Sequence, residues 1–307
     1  MEADIIGLGT IVVDHLVMLP GYPEIDTKTD VVEDRFQVGG PVPTALVLLQ
    51  RFGWRCSFIG SWADDPYGHM IEMDLKQEDV CFDYSVWRQA GRTGFAHVWV
   101  DETTGSRTIA CYRPAEAIAP EEVEERALAG VKALHLDGWA GEAALKAAHI
   151  VRQNGGTVFL DTGSPKPGMD ELIRNVDAVN CPRRFLTQFL EADDLHAGVA
   201  ELLAMGPRIV TVTDGACGAA IATREGVVQR PAHVIDAADT TGADDVFCGG
   251  LIHGVLKGWP AADILDFATA AAGIKCKNVG NRAALPTLGE LSEATGEWEP
   301  SSAGVST

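Results

Sequence analysis

The chain has 307 residues, of which 46% are hydrophobic, and its 24 Lys and Arg against 44 Asp and Glu give a formal net charge of -20. A chain of this length and apolar content buries a large core without disulfides or metals. Its negative charge repels nucleic acid and anionic membranes, so we expect neither as a partner. A phosphate-bearing ligand therefore needs local cations, backbone N–H groups or a bound metal.

The cysteines and the N-terminus indicate the compartment. Seven cysteines are scattered along the chain without a C-x-x-C pair, which is typical of reduced core residues rather than of a zinc or redox site. The N-terminal sequence MEADIIGLGT lacks the basic and apolar regions of a signal peptide, and no apolar run approaches the roughly 18 residues that span a bilayer. We therefore expect a cytoplasmic protein.

Short apolar runs without strict alternation recur along the chain, as in strands that are buried on both faces. They begin at residues 4, 55, 133, 157, 176 and 208, with the sequences DIIGLG, RCSFIG, ALHLDG, TVFLD, VDAVN and RIVTVTDG. Helix-period segments lie between them: PVPTALVLLQRFG closes at Gly53, and EAALKAAHIVRQNGG closes at Gly155. This alternation predicts an α/β fold with a mostly parallel sheet and helices on both faces.

Two regions break the alternation. Residues 10–38 and 94–113 carry extended patterns separated by turn signals, and the second contains a predicted hairpin around ETTG. We interpret them as a small β-sheet that lies over the main sheet. The final residues, 289–307, are polar and rich in Ser and Gly, which predicts a frayed tail after a domain spanning residues 1–288.

The segment DTTGADD, residues 239–245, precedes an apolar helical pattern, so residues 242–245 are expected to form a helix N-terminus. Such an end directs unpaired N–H groups toward an anion, and the small Gly242 and Ala243 let a phosphate approach closely. A first-turn carboxylate can take a proton from an attacking hydroxyl. An ordinary capped helix with acidic first-turn residues explains the same pattern, so the spacing alone leaves both interpretations open.

Two further loops are candidates for ligand contact, because ligands of parallel sheets bind beyond the carboxyl ends of the strands. Gly39 and Gly40 stand directly before a helix, and VTDGACG, which contains Gly215 and Gly218, follows a strong strand pattern. A simple turn explains each loop about as well as a binding role does.

The order of these motifs resembles that of the ribokinase-like carbohydrate kinases, the phosphofructokinase B type. The resemblance covers roughly residues 3–288 and rests on Asp14, Gly39 and Gly40 before their helix, WADDPYG at 62–68, VTDGACG and DTTGADD. In the family the last motif reads D-T-x-G-A-G-D. The resemblance implies a Rossmann-like α/β core with a β-sheet lid, and an ATP-dependent kinase acting on a hydroxyl of a sugar or sugar acid.

The resemblance also implies roles for individual residues. It assigns the catalytic base to Asp245 and an anion hole to the backbone of Gly242, Ala243 and Asp244. It assigns sugar binding to Asp14, Gly39 and Gly40, whereas Arg107 of the lid is either a substrate contact or a solvated hairpin charge. It assigns the nucleotide site to Thr213, Gly215, Gly218 and Asn180, and it leaves the metal ligands unassigned.

ATP and Mg²⁺ are the cofactors that the resemblance implies, and a monovalent cation such as K⁺ is a further candidate. The implied partner is a small sugar or sugar acid, with a second copy of the chain bound through the lid. A nucleoside kinase of the same fold and a non-catalytic sugar- or nucleotide-binding relative are the alternatives. An NAD-dependent oxidoreductase is disfavoured, because GLGTIV at residues 7–12 lacks the third glycine of a dinucleotide fingerprint.

The chain departs from the family pattern at two positions. The family carries N-x-x-E before the nucleotide motif, whereas Asn180 is here followed by Cys, Pro and Arg183. Arg183 would either contact phosphate oxygens or pair with surface acids. Asp244 stands where the family has glycine, so its carboxylate would repel the transferred phosphoryl group, point outward, or help to hold magnesium.

Overall fold

The computed structural model describes residues 3–113 and 116–295. Its centre is an eight-stranded sheet whose strands, numbered along the chain, are β1 (Ile5–Leu8), β4 (Cys56–Ile59), β9 (Ala133–Leu136), β10 (Thr157–Asp161), β11 (Ala178–Pro182), β12 (Ile209–Thr213), β13 (Ala219–Thr223) and β14 (Gly226–Arg230). Their order is β14-β13-β12-β11-β10-β9-β1-β4. The six strands from β12 to β4 run parallel, and β13 and β14 continue the sheet in antiparallel pairs.

Helices cover both faces of this sheet. They are α1 (Pro41–Arg51), α2 (Pro66–Gln77), α3 (Gly141–Gln153), α4 (Met169–Arg174), α5 (Arg183–Leu190), α6 (Leu195–Met205), α7 (Ala243–Leu256), α8 (Ala261–Cys276) and α9 (Leu288–Thr295). One core cluster packs α1, α7 and α8 against the sheet, and a second packs α3 to α6 against its other face. The predicted α/β fold is confirmed, and each of the six apolar runs became a strand of the main sheet.

The predicted lid is a separate sheet of four strands: β2 (Val12–Leu19), β3 (Glu33–Gly39), β7 (Phe95–Asp101) and β8 (Arg107–Tyr112), in the order β3-β2-β7-β8. The β2–β3 and β7–β8 pairs are antiparallel, whereas β2 and β7 run parallel. A short pair formed by β5 (Ser61–Ala63) and β6 (Val86–Arg88) lies outside both sheets.

The two faces of the lid have different surroundings, since successive side chains of a strand point to opposite faces. Leu16 and Val98, which are paired across β2 and β7, are buried and pack with Val279 near the core. Asp14 lies on this same inward face, two residues before Leu16. The outward face carries exposed aromatic side chains instead. Asp14 therefore lies on the face of the lid that packs toward the core.

The C-terminal prediction was wrong for residues 289–295, which form most of α9 instead of a frayed tail. Leu291 is only 1% exposed and belongs to the core, so one apolar residue anchors this otherwise polar segment. Thr287 and Glu290 cap the helix: the Thr287 N–H donates to Glu290 Oε2 at 2.8 Å, and the Glu290 N–H donates to Thr287 Oγ1 at 3.2 Å. The predicted tail beyond residue 295 lies outside the described residues.

The prediction that all seven cysteines are core residues was also wrong. Cys56, Cys181, Cys248 and Cys276 are buried and Cys81 is half-buried, but Cys111 and Cys217 are exposed. Cys111 lies on the edge strand β8, and Cys217 lies in the turn between β12 and β13. All seven are free thiols. In the described part of the chain, none of the helices has the length and apolar character that crossing a membrane requires.

Candidate active site

The loop of residues 239–242 leads directly into α7. Gly242 is the N-cap of this helix and adopts a left-handed conformation, with φ of 78°, which a residue with a side chain rarely takes. The Ala243 N–H donates weakly to the Thr240 carbonyl, at 3.3 Å. Because the first N–H groups of a helix have no acceptor within the helix, this end can bind an anion.

Asp239, the first residue of the motif, organises this loop from a buried position. Its Oδ1 accepts a hydrogen bond from the Thr241 N–H at 2.8 Å, and its Oδ2 accepts one from the Gly280 N–H at 3.0 Å. The ammonium of Lys275 lies 3.3 Å from Oδ2 and donates to the Asp239 carbonyl at 2.8 Å. Sequence reasoning assigned no role to Asp239 or Lys275, although Lys275 is a conspicuous charge near the end of the apolar pattern of α8.

Asp245 lies in the first turn of α7, half-buried. Burial and, after it, the neighbouring charge of Asp244 raise the pKa of its carboxyl to about 7, whereas Arg107 opposes the shift. A carboxylate whose pKa lies near neutrality can accept a proton from a hydroxyl at physiological pH. Position and ionisation together make Asp245 suited to general-base chemistry.

Asp14 faces the same end of α7 from the lid. Burial raises the pKa of its carboxyl to about 6, against an opposing hydrogen bond from the Asn281 side chain. Asn281 Nδ2 donates to Asp14 Oδ2 at 3.4 Å and to the Val38 carbonyl at 3.3 Å. A Cβ atom added at Gly242 would lie 3.4 Å from Asn281 Oδ1 and 3.6 Å from Asp245 Oδ2. Asn281 therefore connects Asp14 to the helix end, a link that sequence reasoning missed.

Gly39 and Gly40 have different structural requirements. A Cβ atom at Gly39 would lie 2.2 Å from Asp14 Oδ2, so this position keeps space beside the Asp14 carboxyl. Gly40 is the N-cap of α1 with φ of 117°, and a Cβ atom there would lie 2.4 Å from the Thr10 carbonyl. Gly40 is thus required by the backbone turn, whereas Gly39 is required by the shape of the site.

A cavity of about 670 Å³ opens beside the α7 N-terminus, and its lining does not include Asp14 or Asn281. Its lining includes residues that the resemblance assigned to the nucleotide site or the anion hole, namely Thr213, Gly215, Gly218, Ala243 and Asp244. Arg107, predicted as a substrate contact or a solvated hairpin charge, lines the same cavity. Gly218 has φ of 99°, and a Cβ atom there would lie 2.0 Å from the Arg230 carbonyl. The lid reaches this cavity at its β7–β8 turn, where a Cβ atom at Gly105 would lie 3.3 Å from the Ala237 carbonyl.

Asn180 and Arg183 differ in their access to this cavity. Asn180 is buried within β11, where its Oδ1 accepts a hydrogen bond from Thr211 Oγ1 at 2.8 Å, and the structure does not bring it to the cavity surface. Arg183 lines the cavity at the start of α5 and donates to the Asp193 carbonyl. The residue that replaces the family's glutamate is therefore placed where it can meet a phosphate.

Two buried carboxyl groups at the ends of neighbouring strands were also missed. Asp137 follows β9 and accepts hydrogen bonds from the Thr10 N–H at 2.6 Å and the Trp139 N–H at 2.9 Å. Asp161 ends β10, and burial, followed by the charges of Asp245 and Asp244, raises its pKa well above the usual range. Both residues end apolar runs that sequence reasoning read only as strands, so the carboxylate at the strand end was the available signal.

Magnesium has few protein ligands available here. Within residues 3–113 and 116–295, no group of three or more His, Cys, Asp or Glu side chains is arranged to hold a metal ion. Mg²⁺ in phosphate-transfer sites is commonly held by one or two carboxylates together with substrate phosphates and water. Asp244, which lines the large cavity, fits that limited role.

Most of the chain matches a known protein family. A model of the pfkB family carbohydrate kinases matches residues 8–288. The chain belongs to this family. This kinase is 27% identical over 273 residues to an ATP-dependent ribose-1-phosphate kinase from Halopiger xanaduensis, with 88% of this chain and 91% of that protein covered.

Two further likenesses cover nearly the whole kinase. It is 24% identical to a ketohexokinase from Mus musculus, over 90% of this chain and 96% of that protein. The solved structure of an Arabidopsis thaliana ribokinase in complex with ribose and ATP superimposes with a TM-score of 0.80 at 20% identity, over 95% of this chain and 98% of that one. The second likeness establishes the ribokinase-like fold, and the family match makes the protein a carbohydrate kinase.

Proposed function

We propose that the protein transfers the γ-phosphoryl group of ATP to a hydroxyl of a sugar or sugar acid, with Asp245 as general base. The carboxylate of Asp245 takes the hydroxyl proton as the acceptor oxygen bonds to the γ-phosphorus. The bond from that phosphorus to the bridging oxygen breaks, and ADP leaves. The single observation that carries this proposal is the position of Asp245: its carboxyl interacts electrostatically with Asp14, its neighbour Asp244 lines the large cavity, and its pKa is raised to about 7.

The two sides of Asp245 suit different ligands. Asp14 and Asn281 offer polar side-chain atoms for sugar hydroxyls, with Gly39 leaving space beside them. Thr213, Gly215 and Gly218 line the cavity that suits a nucleotide. The N-terminus of α7 and the Arg107 guanidinium would then stabilise negative charge on the phosphoryl group during transfer. Magnesium, when bound, would neutralise phosphate charge beside Asp244.

Phosphorylated acceptors belong among the candidates. Arg113 and Lys166 both lie against the Trp139 ring, with the guanidinium carbon 4.0 Å and the ammonium 5.1 Å from its centroid. These cations border the carboxyl ends of β9 and β10 in a chain whose net charge is -20. Local positive charge of this kind would favour an acceptor bearing a phosphate or carboxylate. The ribose-1-phosphate kinase among the relatives supports the same choice.

A coupled ADP-release assay tests the function. The purified protein is supplied with ATP and Mg²⁺ and a panel of sugars, sugar acids, sugar phosphates and nucleosides. We expect turnover with at least one carbohydrate, and Asp245→Asn should lower kcat by about 10²- to 10⁴-fold while ATP still binds. Asp214→Asn is the matched control, because exposed Asp214 lines the same cavity away from the base. Turnover confined to nucleosides, or undiminished in Asp245→Asn, would contradict the proposal.

We also infer that two copies associate through the outward face of the lid. This face exposes Phe36, Trp99 and Tyr112 to 48%, 41% and 41% respectively, and aromatic residues are enriched at interfaces between subunits. Light scattering after size-exclusion chromatography should give twice the monomer mass for the native chain. Trp99→Lys should shift the mass toward the monomer, and a monomeric native chain at micromolar concentration would refute this inference.

A further inference from the structure

Lys275 is a lysine with no exposed side-chain surface, which is rare unless the ammonium is paired. We propose that its ammonium is a built-in cation that positions the α7 N-terminus, so that the kinase needs no monovalent metal ion there. Lys275 does not line the large cavity, and the contacts of its ammonium described above are with Asp239. It therefore acts through Asp239 as a positioning residue. The idea depends on the proposed function only where turnover is measured.

The oxygens around this ammonium are of the kind that bind a small hard cation. Lys275 Nζ donates a hydrogen bond to the Asp239 carbonyl oxygen at 2.8 Å and lies 3.3 Å from the carboxylate Oδ2, and both residues are buried. Carboxylate and backbone carbonyl oxygens are the usual ligands of alkali and alkaline-earth ions. Since a lysine ammonium is a compact point charge with three donors, it can occupy such a place. The K⁺ that the sequence resemblance allowed therefore does not fit at these oxygens.

The pair is held from several elements at once. Asp239 Oδ2 also accepts a hydrogen bond from the Gly280 N–H at 3.0 Å, and the Ala238 N–H donates to the Cys276 carbonyl at 2.8 Å. Although burial opposes ionisation of both partners, Lys275 and the hydrogen bonds hold the pKa of Asp239 below its usual value. The end of α8 is thereby joined to the loop that begins three residues before Gly242.

This arrangement predicts that ATP binding depends on Lys275 through the position of the 239–242 loop. If the ammonium is removed, Asp239 keeps a buried negative charge without its partner, and the loop has to move to hydrate it. The N–H groups of the α7 N-terminus would then lose their alignment toward the nucleotide phosphates. ATP binding should weaken more than acceptor binding, because Asp14 and Gly39 both lie on strands of the lid.

The test compares salts and variants by ATP titration calorimetry, thermal unfolding and turnover. We compare the native chain in K⁺, Na⁺ and choline chlorides at equal ionic strength. The ATP Kd and kcat should each agree within twofold among the three salts, and the Tm should agree within 1 °C. Lys275→Met, which keeps the volume but loses the charge, should raise the ATP Kd at least tenfold without recovery in K⁺. Lys275→Ala opens space, so K⁺ should raise its Tm and lower its ATP Kd severalfold relative to choline.

Lys277→Ala is the matched control, because Lys277 is exposed two residues further along and should behave as the native chain in every salt. A native protein whose Tm rises by several degrees and whose ATP affinity rises severalfold with K⁺ would overturn the proposal, even if the variants do not fold. An unchanged ATP Kd in Lys275→Met would overturn it as well. Failure of turnover with every acceptor, with ATP binding still insensitive to K⁺, would count against the proposed function and leave the role of Lys275 supported.

Discussion

Asp244, which replaces the glycine of the family motif, is expected to set the pH at which the proposed base works. Its charge is the second cause, after burial, that raises the pKa of Asp245 from 3.8 to about 7. Asp244→Asn keeps the side-chain volume and removes the charge. The carboxylate form of Asp245 should then persist to lower pH, because less repulsion opposes its ionisation.

The size of the shift follows from Coulomb's law. If the carboxylates of Asp244 and Asp245 are taken as about 8 Å apart at an effective dielectric near 20, their charges interact by about 2 kcal/mol, which is about 1.5 pKa units. Allowing for relaxation, we expect a fall of about one unit. At pH 6 the ionised fraction of Asp245 would rise from about one tenth to about one half, so kcat/KM should rise about fivefold. At pH 8, where the base is mostly ionised in both proteins, the ratio should stay near one.

The assay is the pH profile of kcat/KM for the acceptor between pH 5 and 9, repeated across a magnesium titration. Asp214→Asn is the control, since it also removes one acidic charge from the cavity lining but does not contribute to the shifted pKa of Asp245. An acid limb that stays in place or moves to higher pH would refute the electrostatic argument. A lower kcat at every pH together with a higher magnesium requirement would show instead that Asp244 holds the metal.

Three further outcomes are expected. Asp245→Asn should raise Tm by several degrees at pH 8, because a carboxyl with a raised folded pKa loses stability as pH rises from about 4 to about 7, at most about 4 kcal/mol for a shift from 3.8 to about 7; the gain should shrink at pH 5, and a lower Tm at pH 8 would contradict it. Asp14→Ala should raise the acceptor KM about 10- to 100-fold and leave the ATP KM nearly unchanged, so parallel changes in both constants would exclude its proposed role. Gly39→Ala should raise the acceptor KM in the same way, since its Cβ would lie 2.2 Å from Asp14 Oδ2, and a native KM would show that Asp14 is not needed in its present position.

Local patterns were sufficient to predict most of the fold. The apolar runs that became β1, β4 and β9 to β12 lack alternation because both faces of the parallel sheet are covered by helices. The extended patterns at 10–38 and 94–113 became the separate four-stranded sheet of the lid. The helix at 289–295 was missed because overall polarity outweighed one buried leucine, although T-L-G-E is a capping-box sequence.

The site was harder to predict because its contacts join distant parts of the chain. The resemblance pointed to DTTGADD, and the structure places those residues at the start of α7. No local pattern indicated that Asn281 bonds to Asp14, or that the ammonium of Lys275 would face Asp239, since such pairing depends on tertiary packing. Asn180, which the resemblance assigned to the nucleotide site, is buried by the packing of β11, and its role there stays a prediction.

The contact between Asn281 and Asp14 spans 267 positions of the chain. During synthesis the lid strand that carries Asp14 is made first, and its partner becomes available only when nearly the whole domain has left the ribosome. Contacts of such long range form late, because the chain must close a large loop before it gains their stabilisation. In refolding experiments, recovery of acceptor binding should therefore lag behind recovery of the helical circular dichroism signal. A shortened chain that ends before residue 281 should still collapse, yet it would lack a finished acceptor site.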